Sequence, residues 1–462
     1  MNDLDKQAYN IVCHWYQDID FNPVYKGIDY SLIIRFYLWD KVGRALRIKH
    51  RIDYGESEIY KKEYLNFPQY YTPFVAKGNY KKPFFKAEKI VFIPFQSPHI
   101  EKLILPLQKV KGIRVLSKQK GKVLSNDDVI KSPSIKNNDT WHQILYKSIL
   151  VALKKYNISF IEEDKALLRI QLEGVFNMTL LAVRELKKYK PNALYVHSDN
   201  HPPFISYVLA AKKLNIPTFT YQHGLDCEHY FLDDNFADYV AVWSENRKER
   251  YLRDSQFIAK NYKVVGNVFL PLLEEKETVI RNNSILYVSR PHSPIKCYSP
   301  SRNYLEGVMI LAEILEFMKQ HTGVHLTIKP HPLDLVSVYY EVIKKYGLED
   351  RVTIASEPLN NLFKTTTVVV TEDTTAGAEA MYYNLPCIHA HFANSEPVLP
   401  FVAYGCALSG RTPQQLKKNL QLIGANPILS NEAIAKQATF VKDIIPKGNV
   451  EDLVNFITNN MV

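Results

Sequence analysis

Long apolar runs, paired cysteines and the common nucleotide-binding signatures are all missing from this chain of 462 residues. Its most apolar segments, such as Ser148 to Leu153, fall well short of the ~18 residues that span a bilayer. The opening MNDLDKQAYN lacks the basic-then-apolar layout of a signal peptide, so a cytoplasmic protein is expected. Five cysteines (Cys13, Cys227, Cys297, Cys387 and Cys406) are scattered without a C-x-x-C pair. That argues against a disulfide framework and suits reduced thiols. No G-x-S-x-G elbow, Walker A loop or G-x-G-x-x-G is present. Metal ligation has little to build on. His197 and His201 lie four apart in a Pro-containing loop, and Cys387, His389 and His391 share a strand face without a further spaced cluster. Neither a metal nor a cofactor is therefore expected. Repeats of solenoid period and low-complexity tracts are absent too.

What is present describes a globular chain of two to three domains, 46% hydrophobic and 23% charged. The net charge is +10, from 58 Lys+Arg against 48 Asp+Glu, and much of the excess lies early, as in Lys41 to Arg51 and Lys109 to Lys122. Such a balance suits an anionic partner: a nucleotide, a membrane surface or nucleic acid. Thirty tyrosines are spread out and form no RNA-stacking motif, so nucleic acid is not expected.

The pattern along the chain changes at Lys89. Before it, Ile11 to Tyr16 and Tyr30 to Leu46 show helical spacing, and Asn66 to Pro83 reads as aromatic-rich loop. From Lys89 onward, strands alternate with helices: KIVFIPF, a helix, GIRVLS, then an exposed polar loop over Lys118 to Asp139. Two long helices follow, Trp141 to Tyr156 and Glu162 to Tyr189. After them come the strands NALYV, TFTYQ, ADYVAVW and KVVGN, with Ser244 capping the helix after the third. Leu270 to Asn283 lacks a period and reads as a linker. A second series runs through SILYVSR, VHLTIKPHP, VTIAS and TTTVVVTEDTTAGAEAMYYNLPCIHAH, and the tail Asn449 to Asn459 is one more helix. Alternation of this kind predicts doubly wound α/β domains whose functional loops lie at strand carboxyl ends.

Two motifs in the second series carry chemistry. Thr374 and Thr375 stand where a strand stops, and Ala376, Gly377 and Ala378 open the next helix with small side chains. Free N–H groups and hydroxyls there suit a phosphate. The plainer reading is a helix cap, with Thr375 as N-cap. Lys329–Pro330–His331–Pro332 directly follows another apolar strand, and its prolines hold a cation and an imidazole at the strand end.

In combination, K-P-H-P, the Thr pair about forty residues later and His223–Gly224 after a first-half strand resemble the GT-B glycosyltransferases. Bacterial capsule polysaccharide (Kdo-transferring) enzymes, sialyltransferases and teichoic-acid glycerophosphotransferases are the nearest kin in this respect. The resemblance covers Lys89 to His391. It implies an α/β, GT-B-like fold of two Rossmann-like doubly wound domains facing a cleft, with a mostly helical N-terminal extension. The corresponding divisions are residues 1–88, 89–272 (acceptor), 283–445 (nucleotide donor) and 446–462. It also implies roles. His331, Thr374 and Thr375 would hold the donor phosphate, with Lys329 beside them, and Glu379 would bond the ribose. Arg290 could neutralise the leaving phosphate, and its plainer reading is a surface ion pair. For the acceptor proton, His223 is the leading base, with Asp199 and Asp226 as rivals.

The expected activity is transfer of a sugar from a CMP-, CDP- or UDP-linked donor to a growing surface polysaccharide or lipid-linked glycan, without metal. An anionic membrane surface on the cytoplasmic side is a further expected partner. Alternatives are a teichoic-acid-type glycerophosphotransferase, a sugar-nucleotide epimerase-like enzyme or an inactive GT-B-like scaffold.

Overall fold

The computed structural model describes residues 3–51, 88–95, 98–119, 122–124, 129–131, 139–222, 224–225, 234–271, 283–290, 305–331, 334, 336–392, 397, 399–425 and 431–462. His223 and Asp226 lie outside the described residues, as does the expected loop over Asn66 to Pro83. The chain divides into two compact units, and the described residues 3–50, 88–269 and 447–462 form one of them.

That unit opens with α1 (Asp3–His14), a small hairpin of β1 (Val24–Tyr25) and β2 (Ile28–Asp29), and α2 (Tyr30–Lys49). Asp29 caps α2, its carboxylate accepting from the Ser31 N–H at 2.8 Å and hydroxyl at 2.6 Å. The sheet then begins with β3 (Lys89–Ile93), α3 (Pro98–Gln108), β4 (Ile113–Gln119), β5 (Lys122–Leu124) and β6 (Val129–Lys131). Two helices, α4 (Trp141–Lys155) and α5 (Glu162–Tyr189), separate these from β7 (Ala193–Val196), α6 (Phe204–Lys213), β8 (Thr218–Tyr221), β9 (Tyr239–Val242), α7 (Glu245–Asp254) and β10 (Asn261–Val264). Strand order is β10-β9-β8-β7-β3-β4-β5-β6, parallel up to β4 and antiparallel beyond it.

The antiparallel edge corrects the reading of Lys118 to Asp139 as loop. An edge strand needs few apolar residues, so three-residue strands such as K-V-L and V-I-K read as loop in sequence. Ser244 caps α7 as expected, accepting from the Arg247 N–H.

Residues 3–50 share this unit's core. Tyr25 and Tyr30 pack on Trp141 at ring separations of 4.8 and 4.9 Å, and Trp141 stacks on Phe176 of α5. Helix α5 is, among the described residues, the one helix long and apolar enough by composition to cross a membrane. Its Leu168, Leu172, Phe176 and Leu186 are buried here, so its apolar face is core. The basic stretch Lys41 to Arg51 is likewise only partly a surface. Lys41 and Arg47 are buried, and the Lys41 ammonium donates to Gln171 Oε1 at 2.7 Å. Burial lowers the pKa of Lys41.

The last helix, Val450–Asn460, belongs to the same unit. Its lead-in crosses the end of the sheet at Gly266 and Gly448. A Cβ on Gly448 would stand 2.2 Å from the Val265 carbonyl oxygen, and one on Gly266 would stand 2.4 Å from Gly448 Cα. Only glycine admits this backbone approach.

The second unit, residues 270–446, is built on a six-stranded parallel sheet. Its elements are β11 (Ser284–Val288), α8 (Glu306–Gln320), β12 (His325–Lys329), α9 (Val336–Tyr346), β13 (Val352–Ile354), α10 (Leu359–Thr365), β14 (Val368–Thr371), α11 (Thr375–Tyr382), β15 (Cys387–Ala390), β16 (Leu408–Gly410), α12 (Pro413–Ala425) and α13 (Asn431–Ile444). The helix of the first unit over Val450–Asn460 is thus α14. Strand order here is β13-β12-β11-β14-β15-β16. β14 and β15 are buried throughout, as V-V-V-T and C-I-H-A runs in a two-sided sheet should be. Ile310, Ile314, Leu315, Tyr287, Ile328 and Val370 form the centre of the core.

Candidate functional site

Register across the second sheet brings separate motifs to one level. Val288 of β11 pairs with Lys329 of β12 on one side and with Thr371 of β14 on the other, and Thr371 pairs with His389 of β15. The residues that follow therefore leave the sheet together at its carboxyl edge: His331, Arg290, the turn Glu372 to Thr375, and His391. Four adjacent strand ends thus collect three motifs that lie up to about a hundred residues apart in the chain.

The turn after β14 is the centre of this rim. Thr374 has extended backbone (φ −139°) and is the N-cap of α11, its hydroxyl accepting from the Ala376 N–H at 3.5 Å. The cap is thus Thr374, and the Thr375 expected there is the first helical residue. A residue with extended backbone must precede the first turn, and Thr375 has already entered it. Gly377 lies in that first turn because nothing larger fits. A Cβ there would stand 2.6 Å from Thr371 Oγ1 and 2.9 Å from Phe401 Cε2, both of buried residues. Glu379, one turn on, is half-buried and close enough to Tyr383 to raise that phenol after burial has done so.

Beneath the rim lie four carboxylates that sequence reasoning did not single out. Glu372 accepts from the Tyr287 hydroxyl at 2.6 Å and from the Arg290 N–H at 3.4 Å. Burial, and then Glu372 itself, push the Tyr287 pKa well up, so the phenol stays a donor. Asp334 accepts from the Ser289 hydroxyl at 3.3 Å and from Tyr339 Oη, while Ser289 Oγ accepts from the His331 N–H at 3.1 Å. Glu306, at the start of α8, accepts from the Phe392 N–H at 2.7 Å and faces His391 Nδ1 at 3.7 Å. Asp373 meets His389 Nε2 at 3.0 Å, His391 Nδ1 at 3.3 Å and Arg290 Nη1 at 3.7 Å. Burial alone would raise the Asp373 carboxyl, but His389, His391 and Arg290 hold it well below the usual range. These acids fix loops: each carboxylate pins the backbone or a side chain of a neighbouring strand end. Among the described residues, no group of three or more His, Cys, Asp or Glu could hold a metal ion. The one local signal in the sequence is the E-D before T-T, which places Glu372 and Asp373 in the turn after β14; Glu306 and Asp334 carry none.

Lys329 stands apart from this cluster. Its ammonium donates to the carbonyls of Ser356 (3.0 Å) and Glu357 (2.6 Å) in the loop after β13, and partial burial lowers its pKa. It therefore ties β12 to β13, while its neighbour His331 lies next to Ser289 and Arg290. A cavity of about 540 Å³ opens at the opposite edge, among the amino ends of β11 and β14, lined by Phe317, His321, Gln320, Gln421 and Leu420. No Asp, Glu, Lys or Arg lines it, so an anion is better received at the carboxyl edge.

In the first unit, Asp199 is buried, and its Oδ2 accepts from the Phe236 and Ala237 N–H groups at 2.7 and 2.8 Å. Burial raises its pKa to about 6 against the pull of those amides. Gln222, also buried, accepts from the Trp243 N–H and donates to the Gly224 carbonyl, which holds the chain on either side of position 223.

No protein-family model matches the chain, and no curated protein matches it in sequence. Solved structures do. The UDP-GlcNAc 2-epimerase of Neisseria meningitidis, solved with UDP-GlcNAc, aligns at a TM-score of 0.50 and 16% identity over 80% of this chain and 98% of that one. MnaA of S. aureus, solved with UDP, aligns at 0.50 and 15% over 80% and 96%. Identities this low speak for fold alone. In fold, the chain is a GT-B-like protein of two Rossmann-like α/β units with additional N-terminal helices.

Proposed function

We propose that this protein is a glycosyltransferase that moves a sugar from a nucleotide-activated donor to a glycan or lipid-linked acceptor of the bacterial cell envelope. One observation carries the reading: Arg290 and the Thr374–Thr375 helix start are joined through Asp373 on one sheet edge, with His331 on the next strand end. Such a rim offers a guanidinium, an imidazole and the positive end of the α11 dipole to a diphosphate. In the proposed reaction the acceptor hydroxyl attacks the activated carbon and gives its proton to a base. His223 is our choice of base, with Asp199 and Asp226 as alternatives. The departing nucleotide carries its charge onto Arg290, His331 and the α11 N-terminus, so the scheme uses no metal. Glu379 would bond the ribose, and Lys329 would keep the β12 end in place.

A second reading is a sugar-nucleotide epimerase. The N. meningitidis structure above, an epimerase solved with UDP-GlcNAc, favours its consideration. A radiolabelled nucleotide-sugar panel separates the two. The transferase releases nucleotide only when a glycan acceptor is added and labels that acceptor. An epimerase changes the sugar with no acceptor, and a change of that kind would replace our reading.

Peripheral binding to an anionic membrane is also proposed, resting on the exposed Lys49, Lys102, Lys109 and Lys111 of the first unit and not on the buried Lys41 and Arg47. Co-sedimentation with phosphatidylserine vesicles that fades with salt is expected. Equal sedimentation with neutral vesicles would count against it.

A further inference from the structure

The two oxygens of Asp373 are treated differently. Oδ1 takes two short bonds, from His389 Nε2 and from the Leu399 N–H, both at 3.0 Å. Among the described residues, Oδ2 has longer contacts, 3.3 Å to His391 Nδ1 and 3.7 Å to Arg290 Nη1. The Asp373 side chain is 1% exposed, whereas that of Arg290 is 18% exposed. A carboxylate anchored through one oxygen can set the direction of a guanidinium with the other. His391 lies between this carboxylate and Glu306, with its Nδ1 3.3 Å from Asp373 and 3.7 Å from Glu306.

We propose that Asp373 and His391 are positioning residues for diphosphate recognition. Asp373 aims Arg290 at one phosphate while the first turn of α11 receives the other, and His391, seated against Asp373 and Glu306, holds the Asp373 carboxylate in place. Neither residue touches the ligand. The inference rests on the nucleotide-donor reading of this rim.

Calorimetric titration of the full chain with UDP and UMP, and with CDP and CMP in parallel, tests it. Wild-type protein should prefer a diphosphate to its monophosphate. Asp373→Asn should weaken diphosphate binding by about ten-fold, the scale of one charge-assisted hydrogen bond, and monophosphate binding far less. In an Arg290→Ala background, Asp373→Asn should cost no further nucleotide affinity, even where it still lowers the melting temperature. His391→Gln should give a smaller loss of the same preference, and it carries the test should Asp373→Asn fail to fold. A diphosphate preference that survives these changes, or affinity losses that simply add, overturns the positioning role and leaves the donor site standing. Wild-type protein that binds none of the four nucleotides removes the donor site itself, and the positioning role with it.

Discussion

Burial gives two aspartates of the first unit an unusual titration. Asp199 and Asp234 are both pushed up to about 6 by loss of solvent, although backbone amides and, for Asp234, Arg35 at 3.3 Å pull the other way. The folded pKa lies above the unfolded value of about 3.9. Their contribution is therefore complete below about pH 4 and lost as pH rises through about 6. Acidification from pH 7 to pH 5 should stabilise this unit by on the order of 1 kcal/mol for each carboxyl. Melting temperatures across that window should rise toward pH 5, and by about half as much in Asp199→Asn, where Asp234 alone remains; a fall toward pH 5 would refute the assignment. Asp373 has the opposite sign. Its pKa is depressed, so its contribution is present above about pH 4 and lost only below it, outside this window. Gly377 makes a separate, purely steric prediction. Gly377→Ala places a methyl against Thr371 and Phe401, both 0% exposed, and should cost about 1–3 kcal/mol in urea unfolding. An unchanged midpoint would mean that the turn is looser than described.

Elements are held here by ends as much as by faces. Arg351 closes the carboxyl end of α8, donating to the carbonyls of Met318 (2.6 Å), Thr322 (2.7 Å) and His321 (3.2 Å). Arg351→Ala leaves those acceptors to water and should cost about 1–3 kcal/mol, read as a shift in the urea midpoint with unchanged slope. Gly448→Ala should cost at least about 3 kcal/mol, because its neighbours at 2.2 and 2.5 Å are backbone and cannot rotate away. Recovery of wild-type stability in either variant would show that the end contact is dispensable.

Most of the elements were legible in the sequence. Buried parallel strands such as V-V-V-T and T-F-T-Y are continuous apolar or β-branched runs, and capping signals such as Ser244 stand beside charged helices. The hairpin edge at β5 and β6 was not legible, because three-residue edge strands rich in lysine resemble loop. At the site, the strand-end motifs K-P-H-P and T-T could be read because they are local. Asp373, Glu306 and His391 could not, since their roles come from strand order and register, which pair residues up to 86 positions apart. Which way Lys329 turns was equally hidden, for a lysine stem reaches several neighbours.

At the scale of the whole molecule, the sheets of the two units have different amounts of irregularity. The first carries an antiparallel edge and shares its core with helices from both chain termini, whereas the second is wholly parallel and bears the rim proposed to receive the diphosphate. Function is accordingly argued from the rim and not from the fold, which hosts several chemistries.

The central claim is that this rim binds the phosphates of a nucleotide. A thermal-shift panel of CMP, CDP, UDP, GDP and ADP without added metal, on wild type, Arg290→Ala and His331→Ala, tests it most directly. A ligand at about 100 times its Kd adds ~2.7 kcal/mol of stability. A clear upward shift is expected with one of these nucleotides, reduced or lost in both variants. A wild type indifferent to all five, or a shift that both variants retain in full, would contradict it.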